Sequence, residues 1–176
     1  MKNAPHPTSM LAKLWTAGAR VTAMLNALQP AAQLLARWYV GMVFFRSGLT
    51  KLNDWETTLL LFGDDYQVPL LSPTVAAYLG TGGELVLPVL LILGLAGRFA
   101  AAGLFVVNVV AVLSLAEIPD AAYQLHVFWG SLLAGLLLWG PGRWSVDHVV
   151  APWLRRLFGA DESANRYTAA ASPTQG

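Results

Sequence analysis

Residues 34–55 read LLARWYVGMVFFRSGLTKLNDW, and the placement of this stretch decides the fold. It is apolar enough for a lipid bilayer, yet it carries Arg37, Arg46 and Lys51. A cation in the hydrocarbon is costly, so intramembrane charges usually turn toward a bundle interior or a wet cavity. Arg37 and Lys51 stand near the ends of the run, where long side chains reach the headgroups. Arg46 lies within it and needs a partner.

The composition around this stretch points the same way. Of 176 residues, 56% are hydrophobic and 12% are charged, and the charged share is about half the ~25% of soluble domains. Several apolar runs approach the roughly 20 residues that cross a bilayer core. A net charge of +1 is too small to imply a nucleic-acid partner. The chain contains no cysteine, so it supplies no disulfide, iron–sulfur ligand or thiol relay. The polar start, MKNAPHPTS, leads into an amphipathic stretch with no cleavable apolar core, so no secretory signal peptide is expected.

Working outward, residues 1–9 are expected to be a mobile tail. Over residues 10–28 the apolar positions Leu11, Leu14, Trp15, Val21, Leu25 and Leu28 recur at helical spacing. They predict an amphipathic helix, either lying along the membrane surface or packed on the bundle. Pro30 is expected to separate it from a first span at residues 34–52. An acidic connection follows at residues 53–73, with a short interfacial helix over residues 55–62. Further spans are predicted at residues 74–95 with Glu84, 99–116 with Asn108, and 121–139 with His126. Gly140-Pro141-Gly142 then stops the helix. An amphipathic piece is expected at residues 149–158 and a disordered tail from Asp161 to Gly176.

The predicted fold is therefore an all-α membrane protein. It has a four-transmembrane-helix bundle over residues 31–147, an N-terminal tail and interfacial helix over 1–30, and a short C-terminal segment and tail over 148–176. Lys2, Lys13, Arg20 and Arg37 precede or open the first span, Arg98 lies between the second and third, and Arg143, Arg155, Arg156 and Arg166 follow the fourth. The other two connections are acidic beyond Lys51. By the positive-inside rule both termini and the Arg98 turn are cytoplasmic.

Depth follows from the rise of about 1.5 Å per residue. It puts Arg46 in the middle to outer half of the membrane, Glu84 and Asn108 in the middle, and His126 about one turn below the outer end. Arg46 shares a four-residue row with Met42 and Thr50, and Glu84 shares one with Ala77, Gly80, Thr81 and Pro88. Small residues let membrane helices approach closely, so both rows are expected to face inward and Arg46 to pair with Glu84. Such a pair can simply fix helix register, or it can lie under an outer vestibule near Trp55, Tyr66, Tyr123 and Trp129. The candidate binding residues are Arg46, Lys51, Glu84, Asn108, His126 and Trp129. They suit a polar ring such as a quinone head, with Arg46 or His126 donating to a carbonyl and Glu84 handling protons. No Cys/His/carboxylate cluster has metal-ligand spacing, and no metal is expected.

In order and spacing, the chain resembles the DoxX family of small four-helix bacterial membrane proteins over residues 34–147. The marks are Arg37, Phe45, Gly48 and Lys51 in the first span, and Glu84 in a Gly-rich second span. Gly94 leading to Gly97-Arg98, and Gly140-Pro-Gly-Arg143 with Ser145 and Asp147, complete them. The resemblance implies an accessory or quinone-interacting subunit of a membrane redox system, without a cofactor motif of its own. The family name comes from a subunit associated with a thiosulfate:quinone oxidoreductase. The quinone-linked thiol pair of similar four-helix folds does not carry over to a chain without cysteine. The resemblance also supports Glu84, Arg46 and Lys51 as a site. The expected partners are the lipid bilayer, a redox or cytoplasmic protein, and further copies of the chain. A membrane scaffold or a small-solute transporter are the other readings.

Overall fold

The computed structural model describes residues 7–153 and 156. Of the tail expected over residues 1–9, residues 1–6 lie outside the described residues and Pro7, Thr8 and Ser9 instead open a helix. Arg155, Arg166 and the expected disorder from Asp161 onward also lie outside the described residues. The chain is all α-helical in its elements, in the order α1 (Pro7–Asn53), α2 (Trp55–Asp64), α3 (Pro73–Leu93), α4 (Gly97–Leu113) and α5 (Asp120–Trp139). Residues 146–153 add a further helical segment.

α1 corrects one expectation. Pro30 does not end a helix; it lies inside one of 47 residues, roughly 70 Å at 1.5 Å per residue. Proline removes one intrahelical bond but does not forbid continuation where neighbours hold the backbone. What changes at Pro30 is burial. Residues 10–29 are exposed throughout, whereas Pro30 is buried and the inward face beyond it is covered.

From there α1 packs on α3, α3 on α4, α4 on α5, and α5 back on α1, while α2 lies against α3 and the end of α1. Val40, Phe44, Leu91, Ala100, Ala101, Leu104, Leu133 and Leu136 form the shared core. Glycines set the α1–α3 approach. A Cβ on Gly41 would meet Ile92 at 2.7 Å, and one on Gly48 would meet Leu85 at 3.0 Å and the Glu84 Cβ at 3.1 Å. The two helices therefore run antiparallel at close range.

α3 and α5, with 21 and 20 residues, are long and apolar enough to cross a membrane, and α4 is a shorter apolar helix. Their outward faces are apolar too: Leu79, Val86, Leu93, Val106, Leu113, Leu125 and Leu138 are all exposed. Apolar surface on every side suits lipid rather than water as the solvent.

At one end the bundle is closed by the α3–α4 turn and the segment after α5. Gly94 at φ 68° and Ala96 at φ 48° make the turn. The Asp147 carboxylate accepts from the backbone N–H groups of Ala96 and Gly97, both at 2.8 Å. It thereby caps the N-terminus of α4 from another part of the chain. Arg37 is 0% exposed and donates to the Trp144 carbonyl. The expectation that Arg37 reaches the headgroups is corrected: its stem runs inward from α1, and Gly94 leaves the room its guanidinium fills.

Candidate functional site

At the opposite end the helices diverge around a cavity of about 460 Å³, within the usual ~300–1,000 Å³ of small-molecule sites. α1 contributes Phe44, Ser47 and Lys51; α2 and the loop after it contribute Phe62, Tyr66 and Val68. Gly80 and Glu84 come from α3, Val107 and Ala111 from α4, and His126 and Trp129 from α5. The walls are largely aliphatic and aromatic, with a few polar groups. The loop is held over the cavity by Gln67 N–H donating to the Ser114 carbonyl at 2.8 Å and by a bridge between Tyr66 and Leu115.

The expected Arg46–Glu84 pair does not form. Glu84 pairs with Lys51, whose Nζ lies 2.5 Å from Oε2, and the two side chains are 21% and 8% exposed, lysine first. Lys51 also donates to Ser47 Oγ at 3.0 Å. Arg46 is exposed and does not line the cavity. The physical reason is helical phase. The buried stripe of α1 runs Arg37, Val40, Phe44, Gly48, and Lys51 continues it three residues on. Arg46 lies two residues, about 200°, from both Phe44 and Gly48, on the far side of the helix. Similar depth suggested the wrong cation; facing decides the right one. Lys51, expected at the outer rim, reaches down to Glu84 instead.

The other predicted residues divide. His126 and Trp129 line the cavity, their rings edge to face at 5.0 Å. Asn108 does not line it but bridges two helices: its Nδ2 donates to the His126 carbonyl at 3.0 Å, and its Oδ1 lies 2.9 Å from His126 Nδ1. Of the flanking aromatics, Tyr66 lines the cavity, Tyr123 lines a smaller one of about 360 Å³ between α4 and α5, and Trp55 packs on Tyr78 at 4.8 Å. Ser47 and Phe62 were missed as candidates. Ser47 stands four residues before Lys51, so the same helical row would have found it.

Burial pushes the Tyr66 phenol above its ordinary value, and the charges of Glu84 and Asp65 push it further. Tyr66 therefore stays protonated at neutral pH and can donate. Lys51 and Glu84 cancel, so the cavity offers a neutral molecule hydrogen bonds without a net charge. Among the described residues no three His, Cys, Asp or Glu side chains gather to hold a metal ion.

A family model described as DoxX matches residues 32–117, a span that includes Lys51, Glu84 and Asn108 but stops short of His126. An uncharacterized membrane protein of Mycobacterium tuberculosis is 32% identical over 140 residues, covering 70% of this chain and 84% of that protein. An uncharacterized protein of Haemophilus influenzae is 29% identical over 126 residues, covering 66% of this chain and 82% of its own length. No solved structure matches significantly.

Proposed function

This chain belongs to the DoxX family, and from that premise we propose that it is a multi-pass protein of a bacterial inner membrane that binds a quinone or quinol headgroup in the Lys51–Glu84 cavity. α1 from about residue 34, α3, α4 and α5 are its four spans, with both termini cytoplasmic and the cavity open toward the outer side. The positive-inside pattern supports that orientation. The chain acts as an accessory subunit: it holds the ring-headed lipid, and a partner protein supplies the electron-transfer cofactor.

One observation carries this reading. The cavity joins apolar walls to a self-neutralised ion pair, a phenol and an imidazole. Such a lining disfavours a charged solute, which would bring an uncompensated charge into a low-dielectric space. It suits a flat neutral ring whose oxygen atoms need partners and whose chain is lipid-soluble.

The test is direct. The full chain in lipid nanodiscs is titrated with decylubiquinone while tryptophan fluorescence is followed, since Trp129 lines the cavity. Saturable quenching is expected in the wild type, with loss of binding in Ala111→Phe, which fills the cavity. Non-saturable quenching that Ala111→Phe leaves unchanged contradicts the proposal.

A second reading rests on a different surface. Residues 10–29 of α1 stand clear of the bundle, with Trp15 83% exposed. That segment suits docking of a cytoplasmic partner, a scaffold role compatible with ligand binding. Deletion of residues 1–29 is then expected to abolish partner recovery in mild detergent while membrane insertion survives. A complex that persists after the deletion removes the docking role.

A further inference from the structure

We infer that His126 makes the cavity selective for the hydroxyl-bearing form of its ring ligand, quinol over quinone, and that Asn108 is the positioning residue that imposes this choice. The inference rests on the ligand reading above and adds the redox form to it.

Which atoms can donate decides the tautomer of His126. Asn108 bridges to His126 twice, once to the backbone carbonyl at 3.0 Å and once to ring Nδ1 at 2.9 Å. A backbone carbonyl only accepts, so the amide atom facing it is Nδ2, and the orientation of the Asn108 amide is settled by chemistry. The other amide atom is therefore Oδ1, which also only accepts. Its short contact with Nδ1 is a hydrogen bond only if Nδ1 carries the proton.

In a neutral imidazole the second nitrogen, Nε2, is then a bare lone pair. It has no hydrogen-bond partner among the described residues, and His126 lines both the cavity beside Trp129 and the smaller one between α4 and α5. A ligand that meets Nε2 must bring a donor. The hydroxyl of a quinol satisfies it. The carbonyl of a quinone sets two lone pairs against each other and leaves both unpaired, a penalty that gives hydrogen-bonding sites their strongest discrimination.

The other polar groups do not choose. Ser47 and Tyr66 hydroxyls rotate to donate or accept, the Lys51 ammonium donates to either form's oxygen, and the Glu84 carboxylate can accept a hydroxyl at that pole. Selectivity is thus concentrated on His126, and Asn108 acts without touching the ligand. No covalent or electron-transfer step is assigned to this chain.

The experiment compares decylubiquinol and decylubiquinone binding to the full chain in anaerobic nanodiscs at pH 8, where an ordinary imidazole is neutral. The expected result is quinol binding tighter by about tenfold or more. His126→Gln, whose amide can turn to donate or accept, is expected to bring the ratio close to one. Asn108→Leu releases the tautomer and is expected to lower the ratio while both forms still bind. Should Asn108→Leu fail to fold, His126→Gln carries the test alone. Equal affinities in the wild type, or a ratio that neither folded variant moves, overturn the inference and leave the ligand reading standing. Binding of neither form overturns both.

Discussion

The two ends of the bundle each bury charge, and they use it in opposite ways. Around Arg37 the chain is filled: the guanidinium is fully covered, it donates to the Trp144 carbonyl, and Gly94 exists as glycine to make room. Around Lys51 and Glu84 the chain is open: Glu84 is buried but Lys51 is partly exposed, and about 460 Å³ of space lies beside them. The first arrangement ties α1 to the segment whose Asp147 caps α4. The second leaves polar atoms facing space. A buried charge therefore marks a site only where the packing around it is incomplete.

Substitutions at the two ends separate these roles. The largest expected effect is Arg37→Leu, which strands the Trp144 carbonyl and removes a cation that interacts with the Asp147 carboxylate. Losing the donor to a part-buried carbonyl costs about 1–3 kcal/mol, and the space the guanidinium leaves empty adds to it, so thermal unfolding in detergent should show a clearly lowered melting temperature. An unchanged melting temperature would mean that the closed end is not a structural clamp. Next comes Glu84→Leu, expected to cost about 2 kcal/mol because Lys51 keeps some access to water. The double variant Lys51→Met/Glu84→Leu should recover most of that stability, since apolar pairs often replace ion pairs without loss. Ligand binding should not recover with it. If binding also returns, the pair is only structural.

Smaller effects sharpen the same contrast. Gly48→Ala brings a Cβ to 3.0 Å from Leu85, and the overpacking is expected to cost about 1–2 kcal/mol and to weaken ligand binding by moving Glu84. Asp54 caps α2: its carboxylate accepts from the Thr57 backbone N–H at 3.0 Å and from the Thr57 hydroxyl at 2.7 Å. Those bonds, the backbone one first, hold its pKa below the ordinary carboxylate value. A depressed pKa in the fold means the contribution is full above about pH 4 and is lost as the pH falls through the folded-state value. Wild type should therefore lose more melting temperature than Asp54→Asn between pH 5 and pH 2, and parallel curves would refute the cap's titration. The smallest effect is Arg46→Gln, an exposed position expected to change stability by less than about 0.5 kcal/mol and binding not at all.

That last prediction marks where the sequence was legible and where it was not. Helix positions in the bundle could be read because apolar runs, turn glycines and the break at Gly140 are local signals. The short helix of the acidic connection, expected over residues 55–62, appears as α2 (Trp55–Asp64). Glu84, His126 and Trp129 were legible as candidates because polar groups in apolar runs are conspicuous. The identity of the partner cation was not, because depth alone cannot separate Arg46 from Lys51. The buried row from Arg37 through Phe44 and Gly48 separates them, and only packing against α3 reveals which row is buried. Pro30 misled for a similar reason: its effect on α1 depends on neighbours rather than on proline itself. The link between Asp147 and the start of α4 joins residues about 50 positions apart, and no local pattern announces it.

Photo-crosslinking shows whether the ring ligand sits in the Lys51–Glu84 cavity. The full chain in nanodiscs is illuminated with an azido-quinone and the labelled peptides are mapped by mass spectrometry. Labels are expected to concentrate on residues 43–51, 62–71, 106–115 and 126–129, to be suppressed by excess decylubiquinol and to be lost in Ala111→Phe. Labels at the Arg37 end, or spread evenly over the outward apolar faces and insensitive to competitor, would contradict it.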